Sequence, residues 1–348
     1  MKRDCLLLIT IVTSTLLLAG CAHVPPNPPD NPHDVTSAKY FGKIERLDAA
    51  LDALIAPGTK IEKLAENFDW SEGPVWIKNG NYLLFSDVPM NIIYKWEEGK
   101  GISTFFTPSG YTGTIPRGGE PGSNGLTVDS QGRVTSCEHG DRRVGRLEKD
   151  GTKSTVADKY QGKRFNSPND LVYKSNGDLY FTDPPYGLVG NIKDPKKELA
   201  FQGVYRVTPG GEVTLLTDQL TRPNGLAFSP DEKTLYVAVS DPDKAIWAAF
   251  DVKADGTLGK QRLFFDSTSL VKTHKGLPDG MKVDEKGNLF ATGPGGIFIF
   301  SPGGKHLGTI DTGQATANCA WGDDGSTLYI TADMYICRVK TKTRGKMP

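Results

Sequence analysis

Six residues with oxygen-bearing side chains stand just ahead of short apolar stretches: Glu72, Asn124, Asn169, Asn224, Asp279 and Asn318. Each supplies a carboxylate or amide oxygen, and none is basic. Six such groups drawn into one narrow space would need partners, because a buried unpaired charge costs several kcal/mol. A divalent cation meets that need: two carboxylates neutralise it, and amide oxygens with water complete a six- to eight-fold oxygen shell. That donor set suits Ca²⁺ better than Zn²⁺, for which the chain has no His/Cys set. The plain alternative is a water-filled channel lined by capped asparagines.

The surroundings of the six residues recur as well. The copies read Ser71-Glu72-Gly73-Pro74-Val75-Trp76, Ser123-Asn124-Gly125-Leu126, Pro168-Asn169-Asp170-Leu171, Pro223-Asn224-Gly225-Leu226, Pro278-Asp279-Gly280-Met281 and Ala317-Asn318-Cys319-Ala320. A tight turn follows each, such as Asn79-Gly80, Asn176-Gly177 or Asp324-Gly325, and Gly and Asn supply the positive φ that a two-residue hairpin requires. A second strand comes next, as in Leu179–Thr182. Subtracting the lead numbers gives spacings of 52, 45, 55, 55 and 39. Multi-strand repeats of about 40–50 residues indicate a β-propeller. The expected fold is therefore all-β, a six-bladed propeller over residues 59–341, and its axis is where the lead residues would meet. An ordinary β-sandwich with coincidental turns is the competing fold.

Charges balance, 41 basic against 41 acidic, so nothing points to nucleic acid. Outside the leader the cysteines are Cys137, Cys319 and Cys337, read as free, buried thiols. Residues 1–20 carry Lys2, Arg3, an apolar run from Leu6 to Leu18 and Leu18-Ala19-Gly20-Cys21, the pattern of a secretory signal. Its end resembles the lipobox of bacterial lipoproteins, implying lipidation at Cys21, with Ala22 favouring the outer membrane, facing the periplasm. Residues 21–36, with five prolines, read as a stiff tether. Residues 37–58 read as a short N-terminal helix, with Phe41, Ile44, Leu47, Leu51, Leu54 and Ile55 on one face and Pro57-Gly58 as its stop. Thr59–Phe68 is expected to supply the outer strand of the sixth blade, whose own repeat holds only three strands. Insertions at 107–122 and 186–202 are expected near a binding face.

Glu72-Gly-Pro-Val-Trp76, Asn166-Ser-Pro-Asn-Asp-Leu171, Arg222-Pro-Asn-Gly-Leu226 and Pro278-Asp-Gly-Met281 resemble the motifs of the senescence marker protein (regucalcin)/gluconolactonase family, across about residues 60–340. The resemblance implies a six-bladed propeller that binds one catalytic divalent metal, commonly Ca²⁺, with Zn²⁺, Mn²⁺ or Mg²⁺ as substitutes, and opens sugar lactones. It places the metal ligands on Glu72, Asn169, Asn224 and Asp279, with the residue at Asn169 also touching substrate in some members; Asn124 and Asn318 are not standard ligands there, and Asn124 is read as lining the substrate pocket. The arginine that binds substrate in animal members has no counterpart at Ser167-Pro168-Asn169; Arg164 lies further upstream. A metal acting on the lactone carbonyl with an attacking water follows from these residue types, with Asp279 as general base and metal-bound hydroxide as its competitor. No Gly-x-Ser-x-Gly elbow occurs, which disfavours a serine mechanism.

The ends of the second strands carry Asp87, Glu138-His139, Asp183, Asp241 and Asp333, expected at the same rim. Of these, His139 and Asp183 are candidate substrate contacts, and Tyr186 is a candidate cover for a sugar face. The partner implied is a small lactone; the oligomeric state is open. Two other functions fit the same residues: a non-catalytic sugar- or cell-wall-binding propeller with a structural Ca²⁺, and a hydrolase of aryl esters or phosphotriesters on the same scaffold.

Overall fold

The computed structural model describes residues 31–347. The signal segment, Cys21 and the first part of the tether lie outside the described residues. Six antiparallel blade sheets follow in chain order, with a small two-stranded ribbon, Lys159–Tyr160 against Lys163–Arg164, between the second and third. Their innermost strands are Ser71–Ile77, Ser123–Val128, Leu171–Tyr173, Pro223–Phe228, Met281–Val283 and Asn318–Gly322. In each sheet the strands run outward from that inner one in sequence order. This is the six-bladed propeller that the repeat spacing predicts.

The sixth blade closes as expected. Ile61–Ala65 pairs with Tyr335–Lys340, so the first and last parts of the ring share one sheet. The N-terminal helix, however, is not formed. Tyr40–Phe41 adds to the outside of the sixth blade and Lys43–Arg46 to the outside of the fifth. Only a 3₁₀ turn remains, Ala49–Ala53, with the Asp48 carboxylate accepting from the Ala50 N–H at 2.8 Å. Unpaired backbone groups at two sheet edges outcompete the local helical pattern. Gly42, at φ 63°, turns the chain from one blade to the next; a Cβ there would stand 2.2 Å from the Asp311 carbonyl oxygen. Leu51, Leu54 and Ile55 still bury themselves, against Phe290, Trp321 and Ile330 of the fifth and sixth blades.

Residues 31–36 do not hang free as part of a tether. Asn31 donates to the Ile102 carbonyl at 2.8 Å, and the His33 ring stacks on Phe68 at 4.3 Å. Glu66 accepts from Thr36 N–H and Oγ1, each at 2.8 Å, and pairs with Lys63 at 3.0 Å. Aromatic rings fill the space between blades: Trp76 stacks on Tyr329, and Trp321 meets Phe290 edge to face. Cys137, Cys319 and Cys337 are buried free thiols.

Candidate active site

Glu72, Asn124, Asn224 and Asn318 lie at the start of the inner strand of a blade, and Asn169 and Asp279 stand two residues ahead of theirs. In blades 1, 2 and 4 the strand register slips just after the lead residue, between Glu72 and Val75, Ser123 and Leu126, and Pro223 and Leu226. Such a bulge bends the strand and re-aims a side chain. The glycine that follows is required by crowding. A Cβ on Gly73 would stand 2.0 Å from the Asn124 carbonyl oxygen, and one on Gly225 would stand 2.2 Å from that of Asp279. Second-strand hydroxyls stitch adjacent blades at this level: Ser86 donates to the Asn124 carbonyl at 2.9 Å, and Thr292 to the Ala317 carbonyl at 2.9 Å.

The ring is strongly acidic at its centre. The Glu72 carboxylate accepts from the Gly73 N–H at 2.7 Å and from the Asn318 amide at 3.4 Å. The same Asn318 Nδ2 faces Asp170 Oδ2 at 3.5 Å, while its Oδ1 accepts from the Cys319 N–H. Burial raises the Glu72 carboxyl above the ordinary range, and the Asp170 charge adds to this. Asp279, partly exposed, is raised well above that range by burial, then by Glu72 and Asp170. Burial also raises Asp170, against the pull of Lys282. Asp170 was not among the residues read from sequence as site members. The signal was present, since four of the other repeats carry Gly at that position.

The amide groups supply the complementary observation. Oδ1 of Asn124, Asn169 and Asn224 are all buried without a hydrogen-bond donor among the described residues. The Asn224 Nδ2 is held by Ser240 Oγ at 2.9 Å, which fixes which way its oxygen turns. Buried acceptors without donors, beside carboxylates that repel one another, fit a hard cation. Among the described residues no three His, Cys, Asp or Glu side chains group as a metal cage. Asn318 differs from its counterparts: its donor faces the acids.

Both insertions lie over the same mouth. Asn91 gathers the first, its Oδ1 accepting from the Gly110 and Tyr111 N–H groups at 2.8 and 3.1 Å. Arg117 then spans to the Gly140 carbonyl at 3.2 Å and to the Gly187 carbonyl of the second insertion. His139 is buried here, with Nδ1 3.4 Å from Glu120 Oε2. Tyr186 is partly exposed, and its hydroxyl donates to the Ser240 carbonyl at 3.3 Å.

Asp183 is corrected as a substrate contact. Its two oxygens accept the N–H groups of Asn166 and Ser167, each at 2.8 Å, and it has no exposed surface. It holds the loop that presents Asn169. Asp87 does the same for Asp69 and Trp70. Glu138 is enclosed by Arg143 at 2.7 Å and Lys153 at 2.6 Å. Arg142, unremarked in the sequence, donates to the Phe165 and Lys196 carbonyls and so braces the Asn169 loop and the second insertion together.

A cavity of about 940 Å³ opens at the other end of the axis. Val128, Tyr173, Phe228, Val283 and Trp321 line it, and none of the six lead residues does. The chemistry-bearing groups gather at the insertion-covered end, so cavity size and site do not coincide.

Residues 70–333 match the family model described as the SMP-30/gluconolactonase/LRE-like region. A gluconolactonase of Zymomonas mobilis subsp. mobilis is 43% identical over 357 residues, covering 99% of this chain and 98% of that protein. A solved gluconolactonase structure from Xanthomonas campestris superposes with a TM-score of 0.76 at 31% identity, covering 89% of this chain and 99% of the other. Diisopropyl-fluorophosphatase of Loligo vulgaris is 26% identical, covering 70% of this chain and 78% of its own length.

Proposed function

The chain belongs to the SMP-30/gluconolactonase/LRE-like family, and from this we propose that it opens sugar lactones at a divalent cation held by Glu72, Asn169, Asn224 and Asp279. Lactone hydrolase activity is what 43% identity over nearly the whole chain supports. One observation carries the cation: three of the lead residues keep buried amide oxygens without donors, and the two acidic leads are carboxyls whose protons burial already favours. We favour Ca²⁺ because every donor is oxygen. When bound, the ion supplies Lewis acidity at the lactone carbonyl.

The remaining work falls to side chains. Gly73 N–H and Asn318 hold Glu72 in one orientation. Ser240 does so for Asn224. Asp279, the most open of the acids, accepts a proton from the attacking water. Asn124 and Tyr186 meet the sugar hydroxyls and ring.

The test is hydrolysis of glucono-1,5-lactone by wild type, Glu72→Gln and Asp279→Asn, with EDTA and with added Ca²⁺. Chelation should abolish turnover and Ca²⁺ restore it. Each variant should lose at least about 100-fold in kcat, the scale of removing one transition-state contact. Equal rates with and without EDTA would remove the cation from the reaction. The similarity to diisopropyl-fluorophosphatase favours a second reading, hydrolysis of phosphoryl or aryl esters at the same centre. A kcat/KM panel ranking such esters above lactones would select it.

A further inference from the structure

His139 stands out among the groups around the pore mouth. It follows the second strand of the second blade, and its N–H donates to the Gly122 carbonyl at 3.1 Å. Its side chain is 0% exposed, yet neither ring nitrogen has a hydrogen-bond partner among the described residues. A buried imidazole that merely fills space normally has its nitrogens bonded. Packing also reserves the place for it: a Cβ on Gly187 would stand 2.4 Å from His139 Cβ and 2.6 Å from Cγ.

His139 Nδ1 lies 3.4 Å from the carboxylate of Glu120, at the end of the first insertion. The Glu120 side chain is 37% exposed, so one carboxylate faces both the buried ring and solvent. Its charge also reaches the acids of the mouth, adding to burial in raising Glu72, Asp279 and the Tyr186 phenol. The pair therefore shares the mouth with the proposed ligands without being among them.

We propose that His139, set against Glu120, is the general acid that protonates the ring oxygen as the lactone opens. This rests on the lactonase reading. With Nδ1 turned to Glu120, Nε2 is the nitrogen left for substrate. The C–O bond of the ring breaks, its electron pair stays on the ring oxygen, and that oxygen takes the proton from Nε2. Asp279 releases the proton it took from water, and the neutral imidazole regains one from solvent by way of Glu120. The sum is lactone plus water to hydroxy acid. Because the ring has no exposed surface with the insertion in place, the Glu120 end of the insertion must lift to admit substrate and then close again, returning Glu120 to His139 before the ring opens. Arg117, bonded to the Gly140 and Gly187 carbonyls, is the contact that has to give.

The decisive experiment compares two lactones that differ in leaving group. Glucono-1,5-lactone expels an alkoxide, which needs a proton. Dihydrocoumarin expels a phenoxide, whose conjugate acid has a pKa near 10, as in tyrosine, and which leaves without one. For His139→Gln, kcat on gluconolactone should fall about 100-fold or more, the span general acid catalysis supplies, while dihydrocoumarin loses less than about tenfold. Glu120→Gln should show the same selectivity with a smaller loss; its side chain is on the surface, so it serves if His139→Gln does not fold. Ca²⁺ affinity should match wild type in His139→Gln and weaken slightly in Glu120→Gln, which removes a charge that reaches Glu72 and Asp279. Equal losses on the two lactones, or none on either, overturn the proposal while leaving the lactonase reading intact. A wild-type protein inactive on both lactones overturns the lactonase reading, and this proposal with it.

Discussion

Asn318 and Asn224 are the same residue type at equivalent places in the repeat, yet one turns its amide nitrogen to Glu72 and Asp170 while the other leaves its oxygen without a donor. The repeat puts the two asparagines at equivalent positions; the hydrogen bonds separate the donor from the acceptor. Asp170 was legible as an exception to the Gly that follows most lead residues, whereas Glu120 was not, because nothing in an insertion's sequence says which residue turns inward. The acids have a pH consequence. Glu72, Asp170 and Asp279 are all raised, chiefly by burial. A carboxyl raised by folding contributes stability that is full below its unfolded value, about 4.3 for Glu, and lost as pH climbs through its folded value. Asp183, pushed up to about 7 by burial, acts in the same direction. Glu66, held below its ordinary value against the cost of burial by bonds from Ser37 and Lys63, is ionised throughout and adds no slope. Metal-free protein should therefore melt lower at about pH 8 than at about pH 5, and Ca²⁺ should recover the part due to the pore acids but not that due to Asp183. Thermal scans in EDTA and in Ca²⁺ at both pH values check this, and a cation-free Tm that does not fall with pH would refute it.

At the scale of strands and turns, the turn residues and the spacing of the leads were enough to count blades, because each hairpin is specified locally. The N-terminal stretch was misread for the opposite reason. Its apolar spacing is helical, but its conformation is set by sheet edges far away in sequence, and Gly42 was the one local sign of a break. The bulge glycines are where element and site meet. Gly225→Ala would place a Cβ 2.2 Å from the Asp279 backbone oxygen, which cannot rotate aside. We expect a loss of about 1–3 kcal/mol, the usual cost of overpacking, together with reduced kcat as Asp279 is displaced. Gly118→Ala, on the exposed first insertion with nothing within 4 Å, is the control and should be neutral. Urea denaturation compares the two; equal stability would show that the close approach is not needed.

For the whole molecule, the strands Ile61–Ala65 and, outside it, Tyr40–Phe41 are what the described residues before the first repeat contribute to the sixth blade. A repeat with three strands in a six-fold ring made that legible before any coordinates. What sequence did not reveal was how firmly the segment is fastened, by Glu66 to Thr36 and Lys63, and by His33 on Phe68. A chain beginning at Phe68 should expose the edge of Tyr335–Lys340 and self-associate, since an unpaired strand edge templates further pairing. Size-exclusion chromatography and a melting curve test this, and a monomer with wild-type Tm would refute it.

The same seam has a temporal side. Ile61–Ala65 leaves the ribosome before any blade exists and cannot find its neighbour until Tyr335–Lys340 has emerged. Through nearly all of its synthesis the nascent chain is thus an incomplete arc with an open edge at each end, and a premature stop in the final repeat would leave it so permanently.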